Sequence, residues 1–145
     1  NMKRLHVNLK VKALDESILF YNALFDAEPT VTKPDYAKWM LDDPRVNFSI
    51  VQAPVHSLEH GIEHLGIQAE TEEEMAQLRR RIGSMQGKVF DEGETVCCYH
   101  ASDKTWISDA QGVSWETFYT HGEADVLKSP AAEDRSDCCD ETCCA

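Results

Sequence analysis

Two adjacent thiols, Cys97 and Cys98, sit inside the strand-like run Thr95-Val96-Cys97-Cys98-Tyr99-His100. Consecutive Cα atoms are about 3.8 Å apart, less than the roughly 4.4 to 6.8 Å of a relaxed disulfide, so a bond between these two would be strained. Two thiolates closing on one soft ion or metalloid need a wider sulfur separation, and soft ligands select soft partners. Free cysteines are also small and frequently buried hydrophobes, and the doublet by itself leaves both readings open. Capture by both thiols carries a structural condition, because neighbouring side chains of a regular strand point to opposite faces. It predicts a bulge or a strand–loop junction at Cys97-Cys98.

A second set is His6, His64 and Glu116. The two histidines open similar stretches: His6-Val7-Asn8-Leu9 and His64-Leu65-Gly66-Ile67, each an alternating strand followed by a capped helix. In a pseudo-symmetric pair of modules whose sheets face a common cleft, such equivalent positions approach one another. Glu116 lies in Ser114-Trp115-Glu116-Thr117-Phe118, and a carboxylate buried in a mostly apolar strand needs a partner. Two imidazoles and one carboxylate with positions left open suit non-haem Fe(II) and oxygen chemistry. Singly, each has a plainer reading as a hydrogen-bonded histidine or a glutamate paired with Arg or Lys. His56, His60 and His64 are also spaced as on a helix, but Pro54, Gly61 and the strand pattern that follows predict a loop for His56 and His60.

The elements that must position these residues follow from the hydrophobic pattern. Leu5 to Val11 alternates, with Leu5, Val7, Leu9 and Val11 on one face and His6, Asn8 and Lys10 on the other. Asp15 offers a helix N-cap, Ile18, Tyr21 and Phe25 recur at helical spacing, and the helix breaks at Glu28-Pro29. Strands are predicted over Thr30 to Thr32, Tyr36 to Leu41 and Val46 to Gln52. After the loop Pro54 to Gly61, a strand over His64 to Ala69 leads to a second helix. That helix starts at the capping box Thr71/Glu74 and carries Met75, Leu78, Ile82 and Met85 as its apolar stripe. Further strands are predicted over Lys88 to Phe90, Glu94 to His100, Thr105 to Ser108 and Val113 to Tyr119, with a turn at Asp91-Glu92-Gly93. The chain reads as α+β, two β-α-β-β-β modules over residues 2–53 and 61–121 forming one domain, 2–121.

From 122 to 145 the composition turns acidic and nearly free of apolar residues, which predicts a disordered tail. It carries two more doublets, Cys138-Cys139 and Cys143-Cys144, as accessory thiols able either to pass a soft ion inward or merely to bind it. All six cysteines lie beyond residue 96, unlike a disulfide framework, so thiol-ligand chemistry in a reducing compartment is expected. The net charge of −12 repels nucleic acid and anionic membrane surfaces. No apolar run is long enough to span a membrane and no signal peptide is evident, so a cytoplasmic location is expected.

The chain resembles the vicinal oxygen chelate superfamily of glyoxalases, bleomycin resistance proteins and dioxygenases, and within it the branch of carbon–arsenic lyases and cadmium-induced proteins. The likeness is carried by Leu9-Lys10-Val11, Phe20-Tyr21, Phe25-Asp26-Ala27-Glu28-Pro29, His64-Leu65-Gly66, Thr95-Val96-Cys97-Cys98-Tyr99, Asp103-Lys104-Thr105-Trp106 and Trp115-Glu116. It implies a metal-binding cleft with Fe(II) at His6, His64 and Glu116, a trivalent organoarsenical held by Cys97 and Cys98, and cleavage of the carbon–arsenic bond with O2. Some members have Gln where this chain has His6. Val46 to Gln52 offers no carboxylate, which argues against a four-ligand glyoxalase. The competing expectation is a non-enzymatic module that sequesters Cd(II) or As(III) through its thiols. A monomer and a homodimer fit the sequence equally.

Overall fold

The computed structural model describes the backbone of residues 2–85, 88–97 and 100–123, and side chains over 2–85 and 103–120. The chain divides into two compact units, Arg4–Leu65 and the segment from Gly66 onward.

In the first unit β1 (Arg4–Val11) and α1 (Leu14–Phe25) are followed by β2 (Val31–Lys33), β3 (Tyr36–Asp42) and β4 (Arg45–Gln52). The strands lie in the order β2-β3-β4-β1. β1 is parallel to β4, with His6 opposite Asn47 and Leu9 opposite Ile50, and the other two pairs are antiparallel. One face of this sheet is the apolar face expected from the alternation. Ile18, Tyr21 and Phe25 of α1 pack there with Val7, Leu9, Trp39, Phe48 and Ile50. The Trp39 indole N–H donates to Asn22 Oδ1 at 3.1 Å, so this fully buried ring has a partner for its one polar atom.

The N-terminus of α1 differs from expectation. The helix starts at Leu14, one residue before Asp15, and its N-cap Ala13 makes no side-chain bond. Instead the Leu14 N–H donates to Gln52 Oε1 at 3.0 Å, while the Gln52 amide donates to the Lys12 carbonyl at 2.8 Å. A side chain from β4 therefore does the work of a cap. Asp15 and Glu16 occupy the first turn, where negative charge complements the helix dipole.

The opposite face of the sheet is polar and yet buried. On β1 it is His6, Asn8 and Lys10 that lose their solvent, whereas Leu5 is 47% exposed. The register adds Asn47 and Ser49 of β4 and Lys38 of β3 to the same face, and all three are buried.

β5 (Gly61–Ala69) begins in the first unit and ends in the second, which continues with α2 (Glu72–Gly83), β6 (Lys88–Cys97), β7 (His100–Ser108) and β8 (Ser114–Glu123). Its order is β5-β8-β7-β6. Each module thus has the predicted β-α-β-β-β succession, and in each the last strand lies between the first and the third. Thr71 caps α2 by accepting from the Glu74 N–H at 3.1 Å, and Glu74 Oε1 accepts from the Glu70 N–H at 2.8 Å, one residue before the position a capping box would use. Met75 and Leu78 pack with Ala69, Ile67 and Tyr119. Met85 falls beyond the helix and is exposed, so the apolar stripe ends at Ile82.

Two predicted strands, Lys88 to Phe90 and Glu94 to His100, prove to be one. The residues read as a turn, Asp91-Glu92-Gly93, instead shift the register against β7 between Asp91 and Gly93. Gly within a strand commonly marks such a bulge, because one extra residue bends the strand without ending it. β6 accordingly stops at Cys97, opposite His100, and β7 starts earlier than the predicted Thr105. Cys98, Tyr99, Gly87 and residues 124–145, including Cys138, Cys139, Cys143 and Cys144, lie outside the described residues. Among the described residues no helix is long and apolar enough to cross a membrane.

Candidate metal centre

The first unit brings His6 of β1 and His64 of β5 together. Both are buried, 0% and 2% exposed, and their Nε2 atoms are 3.1 Å apart with the rings inclined at 52°. Each ring has its Nδ1 engaged elsewhere. His6 Nδ1 lies 3.1 Å from the Asn47 carbonyl, which can only accept, so Nδ1 carries the proton. His64 Nδ1 bonds Glu63 Oε2. With Nδ1 engaged in each ring, both turn Nε2 toward the other.

Two such nitrogens at hydrogen-bond distance are complementary to a shared cation, either a proton or a metal ion. Metal–nitrogen bonds of about 2.1 Å would span 3.1 Å at an angle of roughly 95°, close to the right angle between neighbouring octahedral positions. The pair therefore fits a first-row metal, and its orientation is of the kind metal-binding histidines have, with the remote nitrogen donating to a carbonyl or carboxylate.

Glu63 is the carboxylate of this arrangement, and it is itself held. Asn8 Nδ2 donates to its Oε2 at 3.3 Å, and Ser49 Oγ donates to Asn8 Oδ1 at 2.8 Å. Burial opposes ionisation of Glu63, but the His64 hydrogen bond and charge, the Asn8 amide and Lys10 outweigh it and hold the carboxyl below its ordinary pKa. Neither Glu63 nor the Ser49–Asn8 link was foreseeable as part of the site. Glu63 precedes His64, and strand alternation sends adjacent side chains apart, yet Glu63 Oε2 meets His64 Nδ1. The one available signal was Asn8, on the same face as His6 two residues on.

In the second unit Glu116 lies on β8, 0% exposed, opposite Trp106 of β7. Lys104, opposite Phe118 and 2% exposed, brings its Nζ to 3.1 Å from Glu116 Oε1. Cys97 ends β6 opposite His100, so the strand terminates at the first cysteine of the doublet. Along β7 the six steps from His100 to Trp106 correspond to about 20 Å at the usual strand rise, which separates the Cys97 position from that of Glu116. His56 and His60 are exposed in the loop between β4 and β5, as predicted, with His56 at a positive φ of 72°.

The sequence profile of the glyoxalase/bleomycin resistance protein/dioxygenase superfamily matches residues 3–117. A protein of Bacillus sp. (strain MD1) named trivalent organoarsenical cleaving enzyme is 39% identical over 153 aligned positions, covering 97% of this chain and 92% of its own. The cadmium-induced protein CadI of Mycobacterium tuberculosis (strain H37Rv) is 29% identical, with 96% of this chain and 94% of its own covered. Among solved structures, an extradiol ring-cleaving dioxygenase from Brevibacterium fuscum superposes with a TM-score of 0.61 at 14% identity, over 86% of this chain and 34% of that one. At that identity the likeness speaks for the fold alone, a mixed sheet with few helices of the glyoxalase type. With the profile spanning nearly the whole described chain, the protein belongs to the glyoxalase/bleomycin resistance protein/dioxygenase superfamily.

Proposed function

We propose that this chain is an Fe(II)-dependent dioxygenase that cleaves the carbon–arsenic bond of trivalent organoarsenicals. Its metal ligands are His6, His64 and Glu116, each buried and each offering one ligand atom, and Cys97 and Cys98 capture the arsenic. The observation that carries the metal is the His6–His64 pair, with both Nδ1 atoms engaged and both Nε2 atoms facing one another. The substrate class is supported by the relatives named for organoarsenical cleavage, at 30 to 39% identity.

When bound, Fe(II) supplies an oxygen-reactive centre with coordination positions left open by two histidines and one carboxylate. The protein's own part is orientation and capture. Asn47 and Glu63 hold the two imidazoles in the tautomer that presents Nε2, and the buried polar face of β1 and β4 keeps them from rotating. The thiols exchange reversibly with the two hydroxyls of a trivalent methylarsenical, releasing two waters, and the reverse exchange with two waters frees CH3As(OH)2 again before its carbon–arsenic bond is cleaved. The overall conversion balances without an external reductant: CH3As(OH)2 and O2 give HCHO and As(OH)3. The methyl carbon supplies all four electrons, the C–As bond breaks, and arsenic stays trivalent. Because the Cys97 position stands about 20 Å along the ladder from that of Glu116, the work assigned to the doublet is capture, and its loss is expected in KM before kcat.

The test is anaerobic loading with Fe(II), addition of trivalent methylarsenical and then O2, with arsenic species separated by chromatography. Arsenite formed only with both iron and oxygen, at a raised KM in Cys97→Ser, is the expected result. Stoichiometric arsenical binding without arsenite in iron-loaded protein would instead establish a thiol-based sequestration protein.

A further inference from the structure

Three residues on one face of β1 each reach the segment that ends the preceding loop and opens β5. His6 meets His64, Asn8 Nδ2 donates to Glu63 Oε2 at 3.3 Å, and Lys10 Nζ lies 3.1 Å from Glu59 Oε2. The middle link has a fixed direction. Ser49 Oγ donates to Asn8 Oδ1 at 2.8 Å, so the carbonyl end of the Asn8 amide is engaged and its Nδ2 end faces Glu63. Asn8 and Ser49 are both buried. Glu63 Oε2 thus meets two groups at once, the Asn8 amide from β1 and the Nδ1 of His64, its neighbour in sequence.

We propose that Asn8 is a positioning residue: its amide holds the Glu63 carboxylate against His64 Nδ1, and through that contact it sets the orientation of the His64 imidazole and its affinity for a metal ion. The inference rests on the assignment of His64 as a ligand. Alternation along β5 sends the Glu63 and His64 side chains to opposite faces, and the donor that draws Glu63 back comes from the neighbouring β1. Lys10 also attracts Glu63 by charge. A charge leaves the angle of the carboxylate open, whereas a hydrogen bond is directional. β1 therefore supplies one metal ligand directly, His6, and orients the second from two residues further on. Leucine is branched at the same carbon as asparagine but makes neither hydrogen bond, so an Asn8 that only filled space would be replaced by leucine without consequence.

Mn(II) is the probe, because thiolates select softer ions and leave it to nitrogen and oxygen donors; its affinity is read from the electron paramagnetic resonance of the free ion. In the metal-free native protein the His64 Nδ1–H proton is expected to give a downfield signal with cross-relaxation to the Asn8 amide protons. Asn8→Leu is expected to lose the downfield shift and to bind Mn(II) on the order of tenfold less tightly, within the range seen when groups that orient metal ligands are changed. Combined with Glu63→Gln, it is expected to bind no more weakly than Glu63→Gln alone, since both act along one path. Losses that multiply overturn the inference, and so does a folded Asn8→Leu protein with native-like affinity and His64 signal. If Asn8→Leu does not fold, Asn8→Ala takes its place, and absence of the cross-relaxation in the native protein is fatal by itself. His64→Ala separates the two levels: undiminished Mn(II) binding there removes the ligand assignment and the role of Asn8 with it. Loss of Mn(II) in His64→Ala, with a native-like Asn8→Leu, removes only the role of Asn8.

Discussion

The His6–His64 pair and the Glu116–Lys104 pair solve the same problem with opposite chemistry. In the first unit two imidazoles are oriented by a relay of hydrogen bonds, the Asn47 carbonyl for His6 and Ser49, Asn8 and Glu63 in series for His64. In the second, the Glu116 carboxylate lies beside the buried Lys104 ammonium. The relay turns both Nε2 atoms toward one another, whereas the ion pair balances its own charge. The difference teaches what each pair brings to a cation: the histidines offer two converging nitrogens, whereas Glu116 already has an ammonium beside it.

The strongest way to break this comparison is to remove one converging nitrogen. His6→Ala is expected to abolish turnover and lower Fe(II) or Co(II) affinity by at least about a hundredfold, since a ligand is lost outright, while arsenical binding at the thiols persists. Metal titration beside an arsenical-binding assay checks both halves. Loss of thiol-dependent binding with turnover intact would reverse the roles assigned to the two sets.

A milder cut leaves both nitrogens and disturbs only the relay. Glu63→Gln keeps the shape but replaces a carboxylate acceptor by an amide, and metal affinity is expected to fall roughly 10- to 100-fold. Nitrogen-15 spectra of the His64 ring should then show a mixture of tautomers, a change that simple loss of stability would not produce.

Weaker still is Gln52→Ala, which removes the remote cap of α1 and touches neither histidine. A cost of about 1 kcal/mol is expected, read as a Tm lower by roughly 3 °C, with metal affinity unchanged. An altered affinity would mean that the histidine pair depends on the helix-covered face of its sheet.

The smallest effect concerns Asp42, whose carboxyl is held below its ordinary pKa by the hydrogen bond and charge of Arg4, with Arg45 adding to it. A depressed carboxylate contributes stability above its unfolded pKa and loses it as the pH falls through the folded value. Denaturation curves of Asp42→Asn should therefore converge with the native ones at acid pH and differ slightly at neutral pH. The pair is at the surface, so the difference is small.

Much of the site's raw material was legible in local pattern. Period-two alternation put His6, Asn8 and Lys10 on one face of β1, the Thr71/Glu74 spacing marked the start of α2, and Pro54 with Gly61 kept His56 and His60 in a loop. The misreadings have a common origin. Asp91-Glu92-Gly93 has the composition of a turn, but two neighbouring lengths of strand paired on β7 and absorbed it as a bulge. Asp15 has the chemistry of an N-cap, but Gln52, 38 residues away, reached Leu14 instead.

What the sequence by itself determined is the succession of elements and the face on which each chemical group is mounted, because alternation and helical period are properties of the local chain. Only the tertiary structure decided that the polar face of β1 would be buried, that His6 and His64 would meet through Nε2, and that Lys104 would meet Glu116. Those outcomes depend on contacts between strands distant in sequence. Burial of a polar face becomes tolerable only where each group finds a partner, and no local pattern records which partners will arrive.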